Sequence, residues 1–125
     1  MGIITLTSDW GYTDFYLASV KGMIYKYLPK VNIVDISHSI KAFDIVEAAF
    51  IIKNSYSSFP EGSVHIVGVS TEESIKHSHT VVFYDNHYFI GTDNGIFSMI
   101  FDSEPEKIVE LDVLVGAADT ILEYK

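Results

Sequence analysis

The chain of 125 residues has no cysteine, and it has only eight lysine and arginine residues against seventeen aspartate and glutamate residues. The absence of cysteine excludes disulfides and thiolate metal sites. The net charge of −9 argues against nucleic acid or an anionic membrane as partner, because both require a basic surface. A small anionic or zwitterionic ligand held by backbone groups remains compatible with this composition.

Long apolar segments and targeting signals are also missing. No apolar run has the length of a membrane span, and the chain begins directly with a strand pattern instead of a basic leader. We therefore expect a soluble, cytoplasmic protein. Hydrophobic residues make up 48% of the chain, and there is no linker or internal repeat. Residues 1–125 are therefore expected to form a single domain with its own core.

Strand and helix patterns alternate along most of the chain. Strands are predicted over residues 3–8, 31–36, 63–69, 80–84, 87–91 and 107–111, and helices over 14–28, 44–55, 95–101 and 117–123. Asp85-Asn86 suits the turn of a hairpin between the fourth and fifth strands. The order predicts an α/β fold whose mostly parallel sheet has helices on both faces and an added antiparallel hairpin.

Two helices carry clear start signals and apolar faces. Thr13 is a candidate cap for the first helix, and Asp44 for the second. The residues expected to face the core are Phe15, Ala18, Val20, Met23, Ile24 and Tyr27 in the first helix and Ile45, Ala48, Ala49 and Ile52 in the second.

The turn after the first strand contains two aspartates, Asp9 and Asp14, which are five residues apart. A carboxylate at the carboxyl end of a parallel strand can accept hydrogen bonds from a sugar diol. Asp14 can bind a cationic amine, or it can simply cap the helix and complement its dipole. The turn contains a single glycine, Gly11, so it matches neither a P-loop nor a dinucleotide fingerprint.

Further polar residues follow the other strands, and each allows a functional and a purely structural interpretation. His38 can titrate near neutral pH or can bond the loop backbone. Ser70 with Glu73 fits a capping box, while the neighbouring carboxylates could serve acid–base chemistry. Asn94, with Asp93 beside it, forms either a sharp turn at Gly95 or part of a binding site at the sheet edge.

Aromatic and histidine candidates remain similarly open. Phe43 can provide a flat surface for a ligand, or it can pack in the ordinary way. His65 and His87 fit packed structural side chains. His77 and His79 alternate in a polar loop, but no third ligand has a fixed spacing from them, so we expect no metal site.

Four ordered segments together resemble one family. Residues 8–14 and 20–22 resemble its T/S-D-x-G-x-x-D…K-G opening, and residues 34–40 with 43–49 resemble its V-D-I-x-H…D-I…A-A segment. Residues 59–65 resemble F-P-x-G-T-V-H, and residues 88–96 resemble Y-F-x-x-x-D-N-G-L. The family is that of the S-adenosyl-L-methionine (SAM) hydroxide adenosyltransferases, which are related to the fluorinating and chlorinating enzymes.

The resemblance implies a chemistry in which water, hydroxide or halide attacks the ribose 5′ carbon of SAM and displaces methionine, without a metal or other cofactor. It implies that Asp9 holds the ribose hydroxyls, that Asp14 binds the methionine part with Tyr16 nearby, and that Phe43 lies beside the ribose. Ser70, Asp93 and Asn94 complete the expected binding set. Adenosine, as the product of the hydrolases, is the second expected ligand.

The chain departs from the family pattern after the third strand. The hydrolases have an Asp-Pro-Gly-Val-Gly segment there and an arginine soon after, whereas this chain has Ser70-Thr71-Glu72 and then Lys76-His77. The halogenating branch also lacks that aspartate, so the catalytic set is left unassigned. Family members continue into a C-terminal β domain and assemble as trimers, and we expect a homo-oligomer here. A non-catalytic nucleoside-binding or oligomerisation domain is the alternative interpretation.

Overall fold

Six strands and three helices are present in the part of the chain that the computed structural model describes, which is residues 2–12, 15–69 and 79–110. The strands are β1 (Ile3–Ser8), β2 (Asn32–Ser37), β3 (Val64–Gly68), β4 (His79–Tyr84), β5 (His87–Thr92) and β6 (Lys107–Glu110). The helices are α1 (Tyr16–Tyr27), α2 (Ile45–Ser55) and α3 (Ile96–Ile100), and a 3₁₀ turn, Tyr56–Ser58, follows α2.

The strands form one sheet in the order β2-β1-β3-β5-β4-β6. The neighbours β2, β1, β3 and β5 run parallel, while β4 pairs antiparallel with both β5 and β6. Asp85 and Asn86 join β4 to β5 with φ angles of 52° and 63°, which is the geometry of a tight hairpin turn. The prediction of a mostly parallel sheet with an added hairpin is confirmed.

The helices cover both faces of the sheet, also as predicted. Helix α1 packs Leu17 and Ile24 against Ile4, Leu6 and Ile66 on one face. The other face carries α2 and α3, whose core is formed by Ala48, Ala49, Ile52, Ile96, Phe97 and Ile100 together with Val67, Val82 and Phe89 of the sheet. Successive residues of a strand point to opposite faces, so Ile66 and Val67 contribute to different cores.

The predicted apolar face of α1 is partly wrong. Phe15 is 78% exposed and Tyr27 is 52% exposed, and Ala18 is exposed as well. Ile24 is buried and Val20 is partly buried, as predicted, and Leu17, which the prediction omitted, is buried with them. Residues 17, 20 and 24 recur at the spacing of one helix face, whereas Phe15 precedes the helix and lies beyond its packed turns.

The second helix agrees closely with its prediction. The Asp44 side chain accepts a hydrogen bond from the Glu47 backbone N–H at 3.0 Å, as an N-cap should. Ala48, Ala49 and Ile52 are buried, and the helix ends at Ser55. The predicted cap at Thr13 and the predicted helix over residues 117–123 lie outside the described residues.

The strand order contains a point at which the direction of the connections reverses, at one edge of the sheet. The connection through α1 leads from β1 to its neighbour β2, and the connection through α2 returns across to β3 on the other side of β1. Ligands of α/β proteins bind outside the carboxyl ends of the strands where the direction of the connections reverses. That position here lies above the ends of β1 and β3. None of the helices within the described ranges has the length and apolar character of a membrane span.

Candidate functional site

The carboxyl ends of three parallel strands meet at this edge and carry most of the polar residues singled out from the sequence. Asp9 directly follows β1, Val69 directly follows β3, and Asp93-Asn94 follow β5. The parallel register aligns Ser8 with Gly68 and Val67 with Gly91, so the three strand ends lie side by side. Asp14, Ser70, Lys76 and His77 lie outside the described residues.

Asp9 is held at the centre of this edge by backbone groups from two directions. Its Oδ2 accepts a hydrogen bond from the Phe43 N–H at 3.0 Å, and its own N–H donates to the carbonyl of Gly68 at 3.3 Å. Phe43 has a φ angle of 64°, which is uncommon for a residue with a side chain. The loop before α2 thus adopts a strained conformation that brings its N–H to the carboxylate, and strain of this kind is frequent at functional sites.

Asn94 joins two of the strand ends. Its Nδ2 donates to the carbonyl of Val69 at 3.1 Å, and its Oδ1 accepts from the Ile96 N–H at 3.3 Å. Gly95 has a φ angle of 96°, so the predicted sharp turn is confirmed. The Asn94 side chain therefore fixes the end of β3 relative to the start of α3, while the neighbouring Asp93 is exposed at the same edge.

Aromatic side chains surround the Asp9 turn. The Trp10 ring lies directly over Gly68 and meets the Tyr16 ring edge-on, with 4.9 Å between ring centroids. Phe43 is 66% exposed and Tyr16 is 45% exposed, although both are large apolar side chains. Exposed aromatic groups beside a carboxylate suit a ligand that has a flat ring and hydroxyl groups.

A network of polar contacts that the sequence does not predict lies beneath the Asp9 turn. It extends from the buried Ser8 and His38 to Asp35 and Lys21, which are partly open to solvent. The His38 Nδ1 is hydrogen-bonded to the Ser8 hydroxyl, and its Nε2 is bonded to Asp35 Oδ1 at 2.7 Å. Asp35 Oδ2 accepts from Lys21 Nζ at 2.5 Å. Desolvation alone would raise the pKa of Asp35, but the hydrogen bonds and charges of Lys21 and His38 outweigh it and lower that pKa.

Ser8, His38 and Asp35 are the three residue types of a hydrolytic triad, but this network of contacts cannot act as one. Ser8 is 0% exposed and His38 is 1% exposed, so no substrate reaches the hydroxyl. The serine also contacts Nδ1 and the aspartate contacts Nε2, whereas a serine triad uses the opposite nitrogens. The prediction that His38 bonds the loop backbone is wrong for its ring, because both ring nitrogens bond side chains. The backbone carbonyl of His38 accepts a hydrogen bond from the Gly11 N–H at 2.9 Å.

The sequence contains signals from which the members of this network of polar contacts could be predicted. Asp35 and His38 are three residues apart at the end of a predicted strand, and Ser8 ends the strand next to it. His65 and His87 are buried as predicted. Within the ranges that the structure describes, no group of three or more histidine, aspartate or glutamate side chains has the geometry of a metal site.

The sequence comparisons agree with the resemblance. Residues 4–121 match the family model described as the SAM hydroxide adenosyltransferase N-terminal domain. The (R)-S-adenosyl-L-methionine hydrolase of Methanocaldococcus jannaschii is 34% identical over 118 residues, which is 90% of this chain and 44% of the relative. A fluorinase of an Actinoplanes species is 42% identical over 62 residues, which cover 50% of this chain and 21% of that enzyme.

Solved structures share the fold. An uncharacterised conserved protein from Thermotoga maritima aligns with a TM-score of 0.80 and 26% identity, covering 88% of this chain and 42% of that one. A conserved hypothetical protein from Thermus thermophilus aligns with a TM-score of 0.82 over 98% of this chain and 53% of its own. The chain thus spans about half the length of the M. jannaschii hydrolase and of these two solved structures. It belongs to the SAM hydroxide adenosyltransferase family and corresponds to its N-terminal domain.

Proposed function

We propose that the chain binds SAM, and adenosine as its product, at the sheet edge above β1 and β3. The observation that carries this proposal is the position of Asp9 at the point where the connections change direction, with its carboxylate held by the Phe43 N–H. A fixed carboxylate there accepts the two hydroxyl groups of a ribose. The exposed Phe43 side chain lies on the loop before α2, next to the Asp9 turn, where it can pack against the sugar.

The roles of the other residues follow from the family. Asp14 binds the amino group of the methionine part, and Tyr16 lies at the neighbouring position. Asp93 and Asn94, which follow β5, belong to the binding set as well, and the family adds Ser70 to it. SAM already carries a good leaving group in its sulfonium, so cleavage requires positioning and desolvation of a nucleophile at the ribose 5′ carbon and no cofactor.

Binding and turnover are separate parts of this proposal. If the chain cleaves SAM with water, the products are adenosine and L-methionine. The aspartate and arginine of the hydrolases are replaced by Ser70 and by the Lys76-His77 region. This replacement favours a second candidate function, that of a nucleoside-binding domain without hydrolytic activity.

Calorimetry with SAM and adenosine on the wild type and on Asp9→Asn tests the binding proposal. Asparagine keeps an oxygen for the Phe43 N–H but loses the charge that strengthens bonds to the ribose. Loss of charge-assisted hydrogen bonds at about 1.5–3 kcal/mol should weaken adenosine binding by about 10- to 100-fold. Chromatographic detection of adenosine and methionine after incubation with SAM distinguishes hydrolase from binding domain.

A matched control is Asp85→Asn, which changes a carboxylate at the hairpin turn of the opposite sheet edge. Asparagine there tolerates the positive φ and can still accept the hydrogen bond from the Tyr56 hydroxyl. Unchanged affinity in Asp85→Asn and weakened affinity in Asp9→Asn supports the site. Equal affinity in all three proteins would refute it.

We also propose that the chain assembles as a homo-oligomer, the trimer of its family. Phe43, Val46 and Phe50 are 66%, 64% and 70% exposed. The four-residue spacing of Val46 and Phe50 places both on one side of α2, and Phe43 lies in the loop just before this helix. Exposed apolar side chains grouped in this way are typical of a protein contact. Since Phe43 bonds Asp9, a subunit docked there would help to enclose the ligand.

Light scattering coupled to size exclusion tests this assembly. Phe50→Glu should convert a trimer into monomers, because it places a charge in the middle of an apolar contact. Tyr25→Glu on the outer side of α1, where the tyrosine is 42% exposed, serves as the control and should leave the trimer intact. A wild type that elutes as a monomer at all concentrations contradicts the assembly.

A further inference from the structure

We propose that His38, supported by Asp35 and Lys21, is the positioning residue of the Asp9 site. The inference rests on the proposed function for its ligand, but the contacts behind it concern the chain alone. Neither His38 nor Asp35 contacts the carboxylate of Asp9 in the bonds described above. Their effect on the site is exerted through the turn that carries this carboxylate.

His38 contacts the Asp9 turn through four separate groups. Its Nδ1 bonds the Ser8 hydroxyl, and its ring stacks nearly parallel to the Trp10 ring, with centroids 6.1 Å apart and an angle of 16°. Its carbonyl accepts from the Gly11 N–H at 2.9 Å, and its N–H donates to the Tyr12 hydroxyl at 3.3 Å. Every described neighbour of Asp9 in the turn, residues 8 and 10–12, thus contacts this one histidine.

Each hydrogen bond in this network pairs a donor with an acceptor. A carboxylate can only accept, so the proton between His38 and Asp35 is donated by Nε2. In a neutral imidazole Nδ1 then accepts from the Ser8 hydroxyl, and the Ser8 oxygen accepts in turn from the Trp10 N–H at 3.3 Å. Lys21 holds the other oxygen of Asp35 and thereby orients the carboxylate toward the ring. Burial of Ser8 and His38 protects the bond between them from exchange with water, whereas the Lys21–Asp35 pair is partly exposed.

Two independent sets of contacts therefore hold Asp9 in position. Gly68 and Phe43 hold Asp9 itself through backbone groups, and His38 holds the residues on either side of it. The pairing of β1 with β2 and β3 extends along the whole strand and does not involve the His38 ring. Loss of the ring removes the bond to Ser8 and the ring contacts with Trp10 and Tyr12, while the backbone bonds of residue 38 to Gly11 and Tyr12 remain. The turn should consequently loosen and misplace the carboxylate while the sheet remains folded. A displacement of about 1 Å in a binding group can cost about 100-fold in function.

Trp10 provides a readout that is specific to this turn, because it is the single tryptophan of the chain. The test measures acrylamide quenching of Trp10 fluorescence, adenosine affinity by calorimetry, and thermal unfolding by circular dichroism. It uses His38→Ala, His38→Asn and Asp35→Asn in the full 125-residue chain. Asparagine at position 38 keeps an acceptor for the Ser8 hydroxyl but loses the bond to Asp35, so it should restore part of the loss caused by alanine.

The matched control is His87→Asn, which removes a histidine that is equally buried on β5 but contacts His65. We expect the His38 and Asp35 variants to increase Trp10 quenching and to weaken adenosine binding by at least about tenfold, with the alanine variant affected most. His87→Asn should lower the unfolding temperature while leaving Trp10 quenching and adenosine affinity unchanged.

Wild-type quenching and wild-type affinity in folded His38→Asn and Asp35→Asn would overturn the inference, even if His38→Ala did not fold. Equal loss of affinity in His87→Asn at matched stability would also overturn it, because the effect would then reflect stability alone. If the wild type binds neither SAM nor adenosine, the proposed function fails instead. The quenching comparison then decides by itself whether His38 positions the turn.

Discussion

Gly68 ends β3 where the Trp10 ring crosses the backbone, and this contact demands glycine. A Cβ at this position would lie 2.3 Å from the Trp10 Cζ2 atom and 2.7 Å from Cε2, far inside van der Waals contact. The same residue supplies the carbonyl that accepts from the Asp9 N–H. A side chain at position 68 must therefore move the ring, the strand end or both.

We predict that Gly68→Ala displaces the Trp10 ring, shifts its fluorescence emission to longer wavelength and weakens adenosine binding. Overpacking of this kind costs about 1–3 kcal/mol of stability. Gly22→Ala in α1 is the control, because no atom lies within 4 Å of a Cβ there and alanine favours the helix. An unchanged emission maximum in Gly68→Ala would show that the ring accommodates the methyl group without moving.

At the same scale, the position of Asp9 is predictable from the sequence, but the contacts that hold its turn are not. Asp9 follows an apolar strand and precedes a helix pattern, which is a local signal. The Ser8–His38 contact joins residues 30 positions apart, and it depends on β1 and β2 pairing in parallel. The predicted strand-helix-strand order is compatible with that pairing, but it does not specify which residues of the two strands lie side by side. Buried polar contacts between distant residues become visible only when the sheet order is known.

At the scale of elements, the strands and helices were predictable because short connections and alternating strand and helix patterns restrict the topology. The N-cap at Asp44 and the hairpin turn at Asp85-Asn86 carry their own local chemistry, and both predictions are confirmed. The face of α1 was less predictable, because hydrophobicity alone does not distinguish a core side chain from an exposed aromatic one such as Phe15. The pairing of β6 with β4 joins strands that are not consecutive, so local patterns do not specify it.

At the scale of the whole molecule, the buried pair of His65 and His87 makes the stability of the fold depend on pH. The His65 Nε2 and the His87 Nδ1 are 3.0 Å apart, and the His65 Nδ1 is 2.6 Å from the Thr5 hydroxyl. Both rings contact Tyr56 in the core beneath α2. Desolvation by burial, together with the neighbouring His87, lowers the pKa of His65 from 6.5 to about 4. Desolvation also lowers the pKa of His87.

Both histidines are therefore neutral in the folded chain at a pH where the unfolded chain already binds protons. Their lowered folded-state pKa values make the folded state fully stable above the unfolded value of 6.5, and stability falls as the pH decreases from 6.5 toward 4. Below about pH 4 the folded state binds the proton as well, so His65 causes no further decrease in the free energy of unfolding. From His65 alone we predict that unfolding free energy decreases by about 2 kcal/mol between roughly pH 7 and pH 5.

Urea denaturation at these two pH values measures this decrease directly. His65→Gln should reduce stability at neutral pH, because it disturbs the bonds to Thr5 and His87, but it should also flatten the dependence on pH. His87→Asn removes the second titrating ring and the charge that opposes protonation of His65, so it should flatten the dependence in part. Asp35 does not contribute to the change between pH 7 and pH 5. Its pKa is lowered from 3.8, so its stabilising contribution is lost only as the pH falls below that ordinary value. A wild type with equal stability at both pH values would mean that the core admits the charged imidazole.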